Sequence, residues 1–223
     1  MEKKKYVVIT AGGSGRRMGS KTPKQFLEIG GKPILRHTIE RFLEYDPTIG
    51  IVIAMADEMK QWWKDYCTSE GFLERYSLPS GGFTRFHSVK NALEYVPDGV
   101  LVAVHDGVRP FVNSEFIAAL FQKAEECGGV IPAVAPVETV RETGPSGSFM
   151  LNRDNIRLVQ TPQVFRSELL KAAYSRPYDT KFTDDASVVE AYGGKVEMIQ
   201  GLRFNIKITT PEDLKLAEAL SKL

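Results

Sequence analysis

Residues Ala11 to Lys24, AGGSGRRMGSKTPK, combine the residue types that grip phosphate: Gly12, Gly13 and Gly15, the arginines Arg16 and Arg17, and Lys24 directly after Pro23. The apolar run Tyr6-Val7-Val8-Ile9 precedes them. Glycine lets backbone approach an anion and aim N–H groups at it, and arginine and lysine supply the positive charge that a polyphosphate needs. Two familiar nucleotide loops are excluded by spacing. A Walker A loop needs Gly directly before Lys-Ser/Thr, whereas Lys21-Thr22 follows Ser20; the dinucleotide fingerprint fails because Gly13-Ser14-Gly15-Arg16-Arg17 is followed by Met18. A basic phosphate loop of another kind remains, and a plain turn after a first strand fits the same glycines.

Two further places have chemical character. Gly81-Gly82 stands before a helix that starts near Thr84 and carries Arg85 and Ser88, a second point where a ligand could meet backbone, or an ordinary turn. The most continuous apolar strand, Val100 to Val104, ends in His105-Asp106-Gly107-Val108-Arg109-Pro110. Ligands of open parallel sheets gather at the carboxyl ends of strands, so Asp106 and Arg109 stand where function concentrates; the alternative is a pair that caps a loop. His105 has no second metal ligand at sensible spacing and reads as a structural histidine.

The elements that must position these residues alternate. Pro33 opens a helix with Ile34, Leu35, Thr38, Ile39, Phe42 and Leu43 at helical spacing, and Gly50 to Met55 reads as a buried strand. A helix after Asp57 carries Trp62, Trp63 and Tyr66, which are core or interface aromatics. A helix from about Ser114 to Cys127 leads to the strand Gly129 to Val134, and there the alternation stops. From Pro136 to Val159 a Gly-Pro-Ser-Gly turn is flanked by β-prone arms, a hairpin signal. A hairpin leaving the sheet has little to bury against in its own domain, so this one is expected to pack on another subunit, with a disordered loop as the alternative. The sheet resumes near Gln160 to Phe165, followed by a helix from Arg166 to Ser175. Thr183 is expected to cap the helix that Asp184 and Asp185 begin. The strand Lys195 to Ile199, the segment Phe204 to Ile208 and a final helix opened by Thr210-Pro211-Glu212-Asp213 complete the chain. The pattern implies one α/β domain, residues 1–223, with a mostly parallel sheet.

Composition narrows the partners. A chain of 223 residues, 43% hydrophobic and 26% charged, can build one sizeable core, and a formal net charge of +1 provides no general field for nucleic acid or an anionic membrane. Cys67 and Cys127 lack metal spacing and suit buried free thiols in a reducing compartment. The start of the chain lacks signal-peptide character, and no apolar stretch is long enough to span a bilayer. A cytoplasmic protein is expected.

The motifs AGGSGRRMG with PKQFL, VHDGVRPF, QTPQVF, FTDDAS and NIKITTPEDL, in this order over almost the whole chain, resemble the 2-C-methyl-D-erythritol 4-phosphate cytidylyltransferases of non-mevalonate isoprenoid biosynthesis. The resemblance implies a Rossmann-like nucleotidyltransferase fold, a twisted, mostly parallel sheet flanked by helices, and a homodimer formed through a protruding β-hairpin arm at about 136–159. It implies a reaction that joins CTP to a sugar-alcohol phosphate and releases pyrophosphate, with Mg²⁺ or another divalent cation. Carried over by motif, Arg17 and Lys24 would stabilise charge on the triphosphate. Backbone around Ala11, Gly12, Gly13 and Gly15, with Gly82, Ser88 and Asp106, would hold the cytidine nucleotide, and Asp106 its metal. Arg153 and Lys207 would position the substrate phosphate. Thr139, Arg109, Thr161 and Thr183 would complete the polyol site, with Arg153 and Thr139 borrowed from the partner subunit. Phe83, beside Gly82, departs from the acidic or small polar residue that would be unsurprising there.

The chemistry implied is coherent with the residues. A phosphate monoester is largely dianionic at neutral pH, so it attacks phosphorus without a protein base, and the obstacle is repulsion between anions. This accounts for mostly cationic candidates and for the lack of a Ser-His-Asp or paired-carboxylate set. The pentitol phosphate enzymes, such as ribitol 5-phosphate cytidylyltransferases, share the loop and the His-Asp-x-x-Arg-Pro and Asn-Ile-Lys patterns; Thr183 to Ser187 and Arg153 to Thr161 favour the methylerythritol family. A transferase using a nucleotide-sugar donor would show Asp-x-Asp where Asp106-Gly107-Val108 stands. A non-catalytic nucleotide-binding protein would be expected to lose Arg17 and Lys24, and both are present.

Overall fold

The computed structural model describes residues 3–13 and 22–222, so Gly15 and Arg17 lie outside the described residues. Strand β1 (Lys5–Ala11) is followed by a 3-10 turn, Lys24–Phe26, and a short ribbon of β2 (Glu28–Ile29) and β3 (Lys32–Pro33). Next come α1 (Ile34–Tyr45), β4 (Gly50–Met55), α2 (Asp57–Ser69), β5 (Tyr76–Ser77), α3 (Arg85–Leu93), β6 (Leu101–Asp106), α4 (Ser114–Cys127) and β7 (Gly129–Val134). The hairpin β8 (Arg141–Gly144) and β9 (Gly147–Met150) interrupts this order. After it come β10 (Leu158–Val159), β11 (Gln163–Arg166), α5 (Ser167–Tyr174), α6 (Asp185–Tyr192), β12 (Glu197–Gln200) and α7 (Pro211–Leu220).

The main sheet runs β10-β7-β11-β6-β1-β4-β5, with β12 added beside β7. β1 pairs in parallel with β4 and with β6, β5 is parallel to β4, and β12 is parallel to β7. Only the segment after the hairpin runs the other way, because a strand returning from a protrusion re-enters the sheet against the direction in which it left: β10 is antiparallel to β7, and β11 to both β6 and β7. The mostly parallel α/β sheet expected from the sequence is therefore present.

Both faces of the sheet are covered, which is why its strands read as unbroken apolar runs. Side chains alternate across a strand. Val7, Ile9, Ile51, Ile53 and Ala103 pack with Leu35, Phe42, Trp63 and Phe121 from α1, α2 and α4. Val8, Val52, Val102 and Val104 pack with Phe86, Val89, Leu170 and Val189 from α3, α5 and α6. Each fully buried side chain of this size contributes roughly 1.5–3 kcal/mol, so two such layers hold the strand ends in fixed register. The same alternation points Asp106 with Val102 and Val104 toward α3 and α6, and His105 toward α1, where its ring meets Phe42 at 5.2 Å.

A smaller cluster of Ile29, Ile34, Val108, Ile208 and Ala217 docks α7 and with it the segment that carries Lys207. That segment is held by single bonds rather than by sheet pairing, with the Ile208 N–H donating to the Val108 carbonyl at 3.0 Å. The final helix starts as its sequence dictates, Thr210 capping the Asp213 N–H with Pro211 in the first turn.

The hairpin expected between 136 and 159 is present at its centre. Gly144 and Gly147 pair across the Pro145-Ser146 turn, and Gly147 has φ +119, open to glycine and strained for other residues. All eight residues of β8 and β9 are exposed, so the hairpin adds nothing to the core of this chain.

One expected detail is corrected. The N-cap of α6 is Asp184 and not Thr183: the Asp184 carboxylate accepts from the Ser187 N–H at 2.9 Å, and the Ser187 hydroxyl accepts from the Asp184 N–H at 3.3 Å. Asp184 also accepts from the buried Gln163 amide at 2.9 Å, a tertiary contact that fixes which of two capable residues caps the helix. Replacement Asp184→Ala is expected to lower unfolding free energy by about 1–2 kcal/mol, while Thr183→Ala, at an exposed position, should stay within about 0.5 kcal/mol in the same urea titration.

Candidate active site

β1 lies between β4, which follows it in the chain, and β6, which is reached only after crossing back. This is the topological switch point of the sheet, and the connections leaving β1 and β6 part there to open a crevice at the carboxyl ends. Thr10 and Asp106 are register partners at that end. A cleft of about 470 Å³ occupies it, lined by the end of β1, the turn at Lys24, the start of α3, Asp106 and Lys207.

Backbone forms two walls. Gly12 and Gly13 continue β1, and a Cβ on Gly12 would lie 3.6 Å from the Ser88 Oγ. Across the cleft, the Gly82 N–H donates to the Ser88 Oγ at 3.0 Å, and the Ser88 hydroxyl donates to the Thr84 carbonyl at 3.1 Å. Gly82 has no room for a side chain, since a Cβ there would sit 2.3 Å from that of His87. Thr84 caps α3, so the positive end of that helix and its first N–H groups border the cleft. Lys24 reaches in from the third side, its Cε 3.6 Å from where a Gly13 Cβ would lie.

The floor is a buried carboxylate ringed by cations. Asp106 Oδ2 meets Lys207 Nζ at 3.0 Å and Arg109 Nε at 3.1 Å, and Oδ1 meets Arg85 Nε at 3.6 Å. Burial by itself pushes the Asp106 carboxyl up, but Arg85, Lys207 and Arg109 outweigh it and hold the group well below the usual carboxylate range. Arg85 is in turn held by Asp185, fully buried at the start of α6, through paired bonds of 2.9 and 2.6 Å, and the Tyr174 hydroxyl donates to Asp185 at 2.7 Å. Burial works against the Arg85 charge, and Asp185 and then Asp106 more than restore it.

A second layer fixes Asp106 from behind. The Thr161 Oγ1 accepts from the Asp106 N–H at 3.0 Å and lies 2.9 Å from the His105 Nδ1. His105 Nε2 is 3.0 Å from the Arg109 carbonyl, an acceptor only, so Nε2 carries the hydrogen and Nδ1 accepts from Thr161. The Arg109 guanidinium donates to the Asn205 carbonyl at 2.8 Å, and the Asn205 side chain donates to the Thr161 carbonyl at 2.7 Å. The structural histidine expected from the sequence is thus a fully buried, doubly bonded one.

Of the residues singled out in the sequence, Ala11, Gly12, Gly13, Lys24, Gly82, Ser88, Asp106 and Lys207 line the cleft. Arg109 and Thr161 stand directly behind Asp106. Thr183 is exposed before α6 and does not line the cleft; Thr139 and Arg153 are exposed in the arm, where the Arg153 guanidinium donates to the Val137 carbonyl at 2.7 Å. Arg85, Asp185, Gln25 and Asn205 stand around the site without having been given a role in it from the sequence, although Arg85 and Asp185 were noted at their helix starts. An arginine directly after a capping threonine was a usable signal for Arg85, and a second acid where one suffices to cap was a signal for Asp185.

Glycine backbone, a helix N-terminus and lysines from distant parts of the chain, set around one ionised carboxylate at the switch point of a parallel sheet, suit a polyphosphate ligand, as a nucleotidyltransferase requires. The sequence comparisons agree. The IspD family model, described as 2-C-methyl-D-erythritol 4-phosphate cytidylyltransferase, matches residues 6–222. A protein of that name from Phocaeicola vulgatus is 51% identical over 216 residues, 97% of this chain and 99% of the relative. The crystal structure of 4-diphosphocytidyl-2C-methyl-D-erythritol synthase from Anaerococcus prevotii superposes with a TM-score of 0.83 at 29% identity, covering 99% of each chain. The cytidylyltransferase structure from Thermus thermophilus does so at 0.78 and 30%, covering 100% of each. The chain belongs to the 2-C-methyl-D-erythritol 4-phosphate cytidylyltransferase family, and its activity is that of a CTP-dependent cytidylyltransferase of isoprenoid biosynthesis.

Burial drives the His105 pKa down to about 4, against the pull of its bond to the Arg109 carbonyl and of Asp106. The unfolded chain takes up a proton below about 6.5 that the fold refuses. The contribution of neutral His105 is therefore full above that pH and is lost as pH falls toward 4, on the order of 2 kcal/mol by pH 5. Urea titrations at pH 7 and 5 are expected to show this drop in the wild type and a smaller one in His105→Asn.

Proposed function

We propose that the cleft holds CTP with its triphosphate between Lys24 and the start of α3, and that Lys207 and the arm of a second subunit bring in the phosphate of 2-C-methyl-D-erythritol 4-phosphate. The observation that carries this reading is the meeting of Lys24, Arg85 and Lys207, from three separate stretches of sequence, around one cleft with one ionised carboxylate.

The acceptor phosphate oxygen forms a bond to the α-phosphorus of CTP, and the bond from that phosphorus to the bridging oxygen of the leaving pyrophosphate breaks. The attacking group is already ionised at neutral pH, its second pKa being about 6, so no side chain has to remove a proton. This suits a cleft with no histidine among its described lining residues, His105 being sealed behind it. The work falls to charge and alignment. Lys24, with Arg17, balances negative charge that gathers on the triphosphate. Gly12, Gly13, Gly15 and Gly82 let it approach backbone N–H groups, and Ser88 keeps the Gly82 wall in place. Lys207 is held by Asp106 at the cleft edge, from where it orients the incoming phosphate.

Asp106 is the only acidic side chain among the described lining residues, and no group of three His, Cys, Asp or Glu suited to a metal occurs among the described residues. A single carboxylate fits a divalent cation such as Mg²⁺ that comes with the nucleotide, and Asp106, which also faces Arg85, Arg109 and Lys207, would be the residue to hold it. When bound, it supplies positive charge to the triphosphate. Thr161 and Arg109 keep Asp106 aligned from behind, which is how they serve the acceptor site, and Thr183, outside the cleft lining, is assigned to that site by the family motif alone.

The chain works as one nucleotidyltransferase domain with a dimerisation arm at about 136–159. Phe149 and Met150 in the hairpin are 55% and 67% exposed, and Leu158 and Val159 at its return are 50% and 40% exposed. A two-stranded ribbon alone is marginal in water, so this apolar surface is covered by a second copy, which brings Arg153 and Thr139 to the neighbouring cleft. A net charge of +1 provides no general field for nucleic acid or an anionic membrane, so the small-molecule substrates and a second copy are the partners we assign; no helix of the described residues is long and apolar enough to cross a membrane. The compartment is the cytoplasm.

With Mg²⁺ and CTP, pyrophosphate is expected to appear when 2-C-methyl-D-erythritol 4-phosphate is added and to remain near background with ribitol 5-phosphate. A preference for ribitol 5-phosphate would reassign the acceptor. Dimers mixed from one wild-type chain and one Arg153→Ala chain should lose the site on the wild-type chain; loss on the mutated chain instead would show that the arm serves its own cleft.

A further inference from the structure

The 3-10 turn that begins with Lys24 is fastened on two sides. Gln25 is 2% exposed, and its amide Nε2 donates at 2.6 Å to the carbonyl of Ala11, the last residue of β1, fourteen positions earlier. Phe26 is 3% exposed and packs on α2, with ring centroids 4.3 Å from Trp62 and 6.2 Å from Trp63. Below the turn, the Leu27 N–H donates to the Lys24 carbonyl at 3.2 Å, and the Ile34 N–H donates to the Leu27 carbonyl at 2.9 Å.

A buried amide is a poor filler, since an apolar side chain of the same volume would occupy the space without having to lose hydration. What glutamine adds is one directional bond, and that bond joins the carboxyl end of β1 to the residue next to Lys24. Phe26 and the bond between Leu27 and Ile34 hold the turn to α2 and α1, whereas the bond to Ala11 is the one that ties it to the end of β1, beside which the Lys24 stem lies 3.6 Å from where a Gly13 Cβ would be. We infer that Gln25 is a positioning residue for cytidylyl transfer, tying the turn that begins with Lys24 to the end of β1 so that Lys24 is aimed into the cleft. This rests on the assignment of Lys24 to the triphosphate.

A double-mutant cycle separates such a role from general support of the fold. Two replacements are used at position 25: Gln25→Met, which conserves volume, and Gln25→Asn, which keeps the amide but shortens its reach, so that poor folding of one leaves the other. Each is made in wild type and in Lys24→Ala. Pyrophosphate release is measured for kcat and for the KM of CTP, and urea titration checks folding. Displacement of a catalytic group by about 1 Å can slow turnover about 100-fold, so a kcat loss of about 10- to 100-fold is expected from either replacement in wild type. In Lys24→Ala the same replacement should change kcat less than about twofold, because a group that acts only through Lys24 has nothing left to aim. Wild-type kcat in Gln25→Met and Gln25→Asn, or an equal loss in both backgrounds, would overturn the inference. Near-normal turnover of Lys24→Ala alone would instead remove Lys24 from the triphosphate, and the inference with it. A wild-type protein inactive toward CTP and the acceptor would show a failure of the reaction itself.

Discussion

The site depends on a buried negative charge that is over-compensated. Asp106 stands at the end of a fully covered strand, where an isolated carboxylate would be neutralised or expelled, and three cations from α3, the strand-end loop and the segment before α7 keep it ionised. Those cations need it equally, since Arg85 and Lys207 border a cleft in which positive charges without a counter-ion would repel one another. Because each partner comes from a different element, the carboxylate fixes their mutual placement as well as their charge. Asp185 serves the same end one layer deeper, by keeping Arg85 rigid at bonds of 2.9 and 2.6 Å.

This arrangement makes the cleft a receptor for anions before any ligand enters. Pre-placed charge costs no reorganisation when negative charge moves during a reaction, and the part of its attraction that grows on the way to the transition state adds to the rate. The chemistry asks for little else, as a phosphate dianion attacking a nucleotide needs alignment and neutralisation and no proton transfer. The surrounding hydrogen bonds of Thr161, His105, Arg109 and Asn205 form a closed ring that touches Asp106 through Thr161 and Arg109. A neutral, buried histidine is well suited to that ring because it donates at one nitrogen and accepts at the other.

Much of this was legible in the chain itself. The sequence pattern placed a helix at about Ser114 to Cys127 and a strand at Gly129 to Val134, where α4 and β7 lie, and the Thr-Pro-Glu-Asp start of α7 was readable because capping is a local interaction. Gly12, Gly13 and Asp106 were readable as meeting at one place because the carboxyl ends of neighbouring parallel strands open to one crevice, and all three line it. The motifs together placed the chain in its family. Arg85 and Asp185 were visible as residues but not as partners, since the hundred positions between them carry no periodic signal. The cap of α6 was misplaced by one residue for a related reason: Thr183 and Asp184 are both competent caps, and the choice rests on Gln163 from another strand.

The sequence by itself determined most of the elements and the covered sheet, because propensity and capping act over a few residues at a time, and its motifs, through their resemblance to one family, the kind of reaction. The tertiary structure alone decided which charges meet. Whether Asp106 faces Arg85, whether Lys207 reaches the same oxygen as Arg109, and whether Gln25 ties Lys24 to β1 all depend on packing between elements far apart in the chain. Coulombic and hydrogen-bond energies depend on distance in space, and only the packed sheet and helices set that distance.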